Sequence, residues 1–188
     1  MLLCCARAMG AGEFPATALF VATNKGGRVD APITDHSGNR LSGERYRVLI
    51  YGGTSVERLM PVYTGSREVM KDVGLMTGAQ AGYFRHLDYV QSPRFDSVGH
   101  SWLQVRAWDS TLGSSYEEVV ARGLGGYGQS AAFIAWGTVD SDILGVPLPM
   151  VGLKSFSIAP VVPEPSTWAL LVLGTGALLW RGRRPGLR

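Results

Sequence analysis

"RYRVLIYGG", Arg45–Gly53, is the stretch on which the fold turns. Tyr46, Val48 and Ile50 alternate with Arg45, Arg47, Leu49 and Tyr51. A repeat of two puts one set on each side of a half-buried strand. "SWLQVRAWD", Ser101–Asp109, repeats the pattern, with Trp102, Gln104, Arg106 and Trp108 on one face and Leu103, Val105 and Ala107 on the other. Working outward, four more short apolar stretches are bounded by turn residues: Thr17–Thr23, Gly82–Val90, Ser130–Val139 and Val151–Ile158. Asn24-Lys25-Gly26-Gly27 and the run Asp35–Gly43 read as turns. One segment reads as helix, Ser114–Arg122: serine can cap it, Glu117 and Glu118 lie in its first turn, and Gly123 can end it. This pattern predicts a mainly β chain, a β-sandwich of about seven antiparallel strands with one short helix in a connection.

The totals agree with that class. The chain has 188 residues, 25 of them glycine, and only 18% are charged. That suits one turn-rich domain, expected over residues 15–160, with shorter segments at 1–14 and 161–188. The formal net charge of +3 comes from Arg181, Arg183, Arg184 and Arg188 set against Glu164, since the chain up to Pro160 holds 14 basic and 14 acidic residues. A nucleic-acid binder gathers positive charge on a folded face, and here it follows an apolar run, so nucleic acid is excluded as a partner. Both cysteines, Cys4 and Cys5, are adjacent and cannot staple the domain. Residues 1–14 offer only Met1–Ala6 as an apolar stretch before Arg7, which reads as a degenerate or truncated export signal.

Thr167–Trp180, "TWALLVLGTGALLW", carries no charge. Fourteen residues of helix span about 21 Å, short of a hydrocarbon core of about 30 Å. Yet the run is apolar on every side, with no face for water. Trp168 and Trp180 mark its ends, where interfacial aromatics belong, and Arg181, Arg183 and Arg184 follow, whose long stems reach headgroups. The expectation is a C-terminal hydrophobic, transmembrane-type helix with its basic end in the cytoplasm. Pro163 and Pro165 prevent that helix from extending backwards and leave Pro163-Glu164-Pro165 as an extended strip at the outer surface.

Val162-Pro163-Glu164-Pro165-Ser166-Thr167, the apolar run and Arg181-Gly182-Arg183-Arg184 together resemble the PEP-CTERM sorting signal of exopolysaccharide-producing Gram-negative bacteria. The resemblance implies export across the inner membrane by the general secretory route. It implies transient anchoring there, recognition of Pro-Glu-Pro by an exosortase (a membrane cysteine transpeptidase), and delivery to the cell surface or extracellular matrix. The family begins with a clear signal peptide, and this chain departs from it there. A glycolipid-anchor signal also has an apolar tail, but such tails end apolar, whereas this one ends "RGRRPGLR".

The domain itself shows little chemistry. Gly123-Leu124-Gly125-Gly126-Tyr127-Gly128 fits G-x-G-x-x-G, but a helix precedes and a strand follows, the reverse of a dinucleotide site, so it reads as a flexible loop. Gly99-His100-Ser101-Trp102 lacks the last glycine of a nucleophile elbow and opens a strand, so it reads as coincidence. His36, His86 and His100 are scattered without metal-ligand spacing, and Asp35, Asp109, Asp140 and Asp142, with Asn39, read as ordinary turn residues. No cofactor, metal site or catalytic residue is expected. Trp102 and Trp108, within a generous aromatic set that includes Trp136, are the candidates for stacking on sugar rings such as those of an exopolysaccharide. The expectation for the domain is a structural or adhesive role without catalysis, with carbohydrate binding as the alternative.

Overall fold

A computed structural model describes residues 16–26, 28–85, 87–139 and 146–162. The first strands are β1 (Thr17–Ala22), β2 (Lys25–Gly26), β3 (Val29–Asp30), β4 (Ile33–Thr34) and the long β5 (Gly43–Gly53). They are followed by β6 (Met60–Pro61), β7 (Tyr63–Thr64), β8 (Val73–Leu75), β9 (Leu87–Pro93) and β10 (His100–Asp109). Helix α1 (Tyr116–Arg122) precedes β11 (Tyr127–Gln129), β12 (Phe133–Trp136), β13 (Thr138–Val139), β14 (Leu148–Pro149) and β15 (Phe156–Ser157).

Two sheets dominate. The first runs β13-β1-β9-β7, with β14 also on β1; the second runs β11-β10-β5-β6, with β12 also on β10 and β8 on β5. Their facing sides share one core: Ala18, Phe20 and Ala22 of β1 and Val90 of β9 cluster with Val48 and Ile50 of β5 and with Leu103, Val105 and Ala107 of β10. Each fully buried Val, Leu, Ile or Phe among them contributes about 1.5–3 kcal/mol, and they come from strands far apart in sequence. Hence the core can form only when both sheets do. The sheets approach closely where Gly52 faces Ser92: a Cβ on Gly52 would overlap the Ser92 hydroxyl. That hydroxyl shares a 2.5 Å hydrogen bond with Ser101, which also donates to the Pro93 carbonyl at 2.7 Å. The buried gap between the sheets thus holds a satisfied polar pair.

The period-two stretches form the central pair. β5 and β10 run antiparallel from Tyr46↔Asp109 to Gly53↔Trp102. The helix also forms as its termini foretell. The Ser115 hydroxyl accepts from the Glu118 amide at 3.2 Å, the Glu118 carboxylate accepts from the Ser114 amide at 2.7 Å, and Gly123 closes the helix at φ 68°.

Elsewhere the structure corrects the reading. The Gly82–Val90 strand is displaced: Phe84 makes only an isolated bridge to Leu75, and the strand starts at Leu87 and runs to Pro93. The cause is Asn24, fully buried, whose amide donates to the Ala31 and Gly82 carbonyls while its oxygen accepts the Phe84 amide. A side chain stands there in place of a strand neighbour. The Ser130–Val139 stretch breaks at Gly137 into β12 of the second sheet and β13 of the first. A Cβ at Gly137 would lie 2.7 Å from the Leu19 carbonyl oxygen, so only glycine lets the chain change sheets there. Pairing is not wholly antiparallel, since β1–β14 and β4–β15 are parallel. Val151–Ile158 supplies only the two residues of β15. Among the described residues no helix is long and apolar enough to cross a membrane; the run 167–180 lies outside them.

Candidate functional site

The outer face of β10 carries His100, Trp102, Gln104, Arg106 and Trp108 in strict alternation, and its two ends differ. At the C-terminal end Trp108 is 2% exposed, covered by Tyr116 and Val119 of α1. Arg106 fastens the helix. Its guanidinium lies 3.9 Å from the Tyr51 ring centroid and 5.2 Å from that of Tyr116, and it donates to Glu117 at 3.2 Å and Gln104 at 2.9 Å. Buried Asp109 accepts from Arg45 at 2.9 and 2.5 Å and from Thr111 at 3.0 and 2.6 Å. Burial alone would raise its carboxyl, but these bonds and the Arg45 charge hold it below the ordinary value.

At the N-terminal end no helix covers the sheet among the described residues. His100 pairs across the ladder with Trp136 and Trp102 with Ile134, and Trp136 is 58% exposed. The β10–β12 edge faces Leu148 and Pro149 of β14 and Val151 across a groove of about 530 Å³. Among the described residues its polar lining is His100 and Arg28, the latter in the turn between β2 and β3.

His100 is held from several sides. Its Nδ1 meets Asp96 Oδ2 at 2.5 Å, and the Phe95 and Trp136 rings flank it with centroids at 6.0 and 5.7 Å. Asp96 Oδ1 accepts the amides of Val98, Gly99 and His100 at 3.1, 2.9 and 2.9 Å. Partial burial would raise the Asp96 carboxyl, yet the bonds from His100 and Gly99 lower it overall. The Trp136 indole N–H donates to the Val98 carbonyl at 3.0 Å, fixing its ring as well. The sequence offered weak signals for this cluster. Asp96-Ser97-Val98-Gly99 is a turn acid three residues before a glycine, the pattern for capping a loop's amides.

Trp102 is half-buried beside Ile134. Trp108 offers no open ring face, which corrects the expectation that it could stack on a sugar. Ser101 is fully buried between the sheets, on the opposite side of β10 from His100, and does not form a nucleophile–base pair with it. His36 is exposed, and Asp35 is engaged by the amides of Ser37 and Asn39, ordinary turn bonding. Among the described residues no three His, Cys, Asp or Glu side chains converge on a metal position. Pro163, Glu164, Pro165, Trp168, Trp180, Arg181, Arg183 and Arg184 lie outside the described residues, as do Cys4, Cys5, His86, Asp140 and Asp142.

The glycine-rich loop has another task than the flexible connection expected of it. Gly125 and Gly126 hold φ of 80° and 76°, and a Cβ on Gly125 would overlap the Pro160 carbonyl. The chain leaving the domain is bonded against this loop: Ala159 N–H to the Tyr127 carbonyl at 2.9 Å, Gly126 N–H to Ala159 at 2.9 Å, and Val162 N–H to Leu124 at 2.7 Å. The domain therefore grips its exit segment up to Val162. From Val161 onward the sequence matches a family description, the PEP-CTERM protein-sorting motif, over residues 161–184. This chain carries a PEP-CTERM protein-sorting motif. No curated protein and no solved structure matches the chain. The PEP-CTERM motif thus begins on residues that the glycine loop still holds, with no spacer before Pro163.

Proposed function

We propose that the chain is exported and sorted to the cell surface or extracellular matrix of a Gram-negative bacterium. An exosortase acts at Pro163-Glu164-Pro165 after the apolar run and Arg181, Arg183 and Arg184 have halted the chain in the inner membrane. The domain, which we read as a β-sandwich, serves a structural or adhesive role outside the membrane and does not catalyse a reaction. The observation that carries this reading is the family match over residues 161–184. The grip on Val162 supports it, because a folded domain ending one residue before Pro163 presents the strip beside the membrane without slack. The two-sheet core supports the structural role, since side chains from both sheets close it.

Expression in a host with an intact sorting pathway tests the reading. Mass spectrometry of the surface fraction should find the domain without the residues after about Pro165, the carboxyl-side end of the proline-bounded strip. A chain carrying Pro163→Ala and Glu164→Ala should stay in the membrane fraction at full mass. Unchanged localisation and mass in that variant would sink the proposal.

A further inference from the structure

The groove beside His100 lies among strands of the domain. Among the described residues its walls are Ile134, Trp136, Leu148, Pro149 and Val151, and its polar side chains are one imidazole and one guanidinium. No carboxylate lines it among the described residues. A volume of about 530 Å³ lies in the range of small-molecule sites. Such sites combine apolar walls with a few placed polar groups that fix orientation.

We propose that this groove binds a small aromatic carboxylate, its ring against Trp136 and Ile134 and its carboxylate between Arg28 and His100. The polar inventory decides the class. A sugar carries a hydroxyl on almost every carbon, and walls of Ile, Leu, Pro and Val would leave most of them without partners, at a cost of about 1–3 kcal/mol for each one buried. A flat ring with one anionic end asks for what the groove supplies: a planar apolar platform and a charged fork at one side. Arg28 has no ion-pair partner among the described residues, so its fork is available. The guanidinium is charged at any ordinary pH and matches a carboxylate with two parallel hydrogen bonds.

His100 is preset for the second contact. Nδ1 is committed to Asp96, whose other oxygen is saturated by three amides, so Nε2 is the ring atom left for a ligand. Trp136 is preset too, since its N–H is tied to Val98 and its ring cannot swing without losing that bond. Groups already held in place lose little freedom on binding, and affinity gains accordingly.

The full chain in lipid nanodiscs, with empty nanodiscs as the blank, is titrated with 2-naphthoate and with the uncharged 2-naphthalenemethanol, following the methyl resonances of Ile134, which lines the groove and is kept in every variant. The expected result is saturable binding of both, with the carboxylate favoured by about tenfold or more, the scale of a charge-assisted bidentate pair. Arg28→Gln, an exposed turn residue whose loss leaves the core intact, should abolish that preference and spare the alcohol. Trp136→Ala should weaken both ligands. Equal affinity for acid and alcohol, indifference to Arg28→Gln, or displacement of naphthoate by soluble maltohexaose would each overturn the proposal. So would a concentration-dependent dimer that buries Trp136 and excludes naphthoate. None of these outcomes bears on cleavage at Pro163-Glu164-Pro165, so the two proposals stand or fall separately.

Discussion

The outer face of β10 is roofed at Trp108 and open at His100, although both ends repeat the same alternation of aromatic and polar residues. At the roofed end the charged groups are spent on the fold: Arg106 on Glu117 and two tyrosines, Asp109 on Arg45 and Thr111. At the open end Asp96 steadies a histidine whose Nε2 is left unspent, beside a tryptophan with most of its surface in water. The same chemistry is structural where a helix covers it and available where none does. Exposure here is decided by tertiary neighbours and not by the strand's own sequence.

The sharpest way to break that contrast is to truncate one tryptophan at each end. Trp108→Ala removes a ring that fills the space under α1 and should cost about 3–5 kcal/mol. Trp136→Ala loses one hydrogen bond and ring contacts in a mostly solvated setting and should cost less than about 1 kcal/mol. Urea midpoints of the two variants measure the difference. Equal losses would mean that the groove wall is core and the contrast is false.

A second contrast lies within the loop that holds the exit segment. Gly123 and Gly125 both sit at positive φ, but nothing lies within 4 Å of a Cβ at Gly123, whereas one at Gly125 overlaps the Pro160 carbonyl. Alanine at either position meets the left-handed strain of about 1–2 kcal/mol. Only Gly125→Ala must also push the exit segment away. Faster hydrogen exchange at the Val162 amide in Gly125→Ala, but not in Gly123→Ala, would sharpen the view that the loop positions the sorting motif. Equal protection in both variants would refute it.

What was legible in the sequence was local. The period of two in Arg45–Gly53 and Ser101–Asp109 marked the central strands. Ser115, Glu118 and Gly123 marked the helix, because caps act within a few residues of the groups they satisfy. The sorting motif was legible for the same reason, being one contiguous string of residues. What was hidden depends on partners distant in the chain. Asn24 displaces a strand 60 residues away through the Phe84 amide. β15 finds β4 through two residues, Phe156↔Ile33 and Ser157↔Thr34, too short to leave a pattern. Trp102 and Trp108 were rightly placed on one face, yet nothing in that alternation says that α1 returns over one of them. Arg28 was hidden as well. A turn arginine is ordinary until the β14 wall is seen opposite it.

The two ends of β10 also each hold an aspartate below its ordinary pKa, which makes acid a probe of both. Asp109 and Asp96 ionise more readily in the fold than in the unfolded chain, because their hydrogen bonds outweigh burial. The unfolded chain therefore takes up protons first. Their stabilisation is complete above the unfolded value, about 3.9, and is lost as pH falls through the lower folded value. Urea stability of the wild-type chain should accordingly fall below about pH 5. Asp109→Asn should flatten that fall more than Asp96→Asn does, since Asp109 is buried with an arginine whereas the Asp96 side chain is 30% exposed. The reverse order would mean that the Asp96–His100 pair is the better insulated of the two, and that the open end is closed in solution.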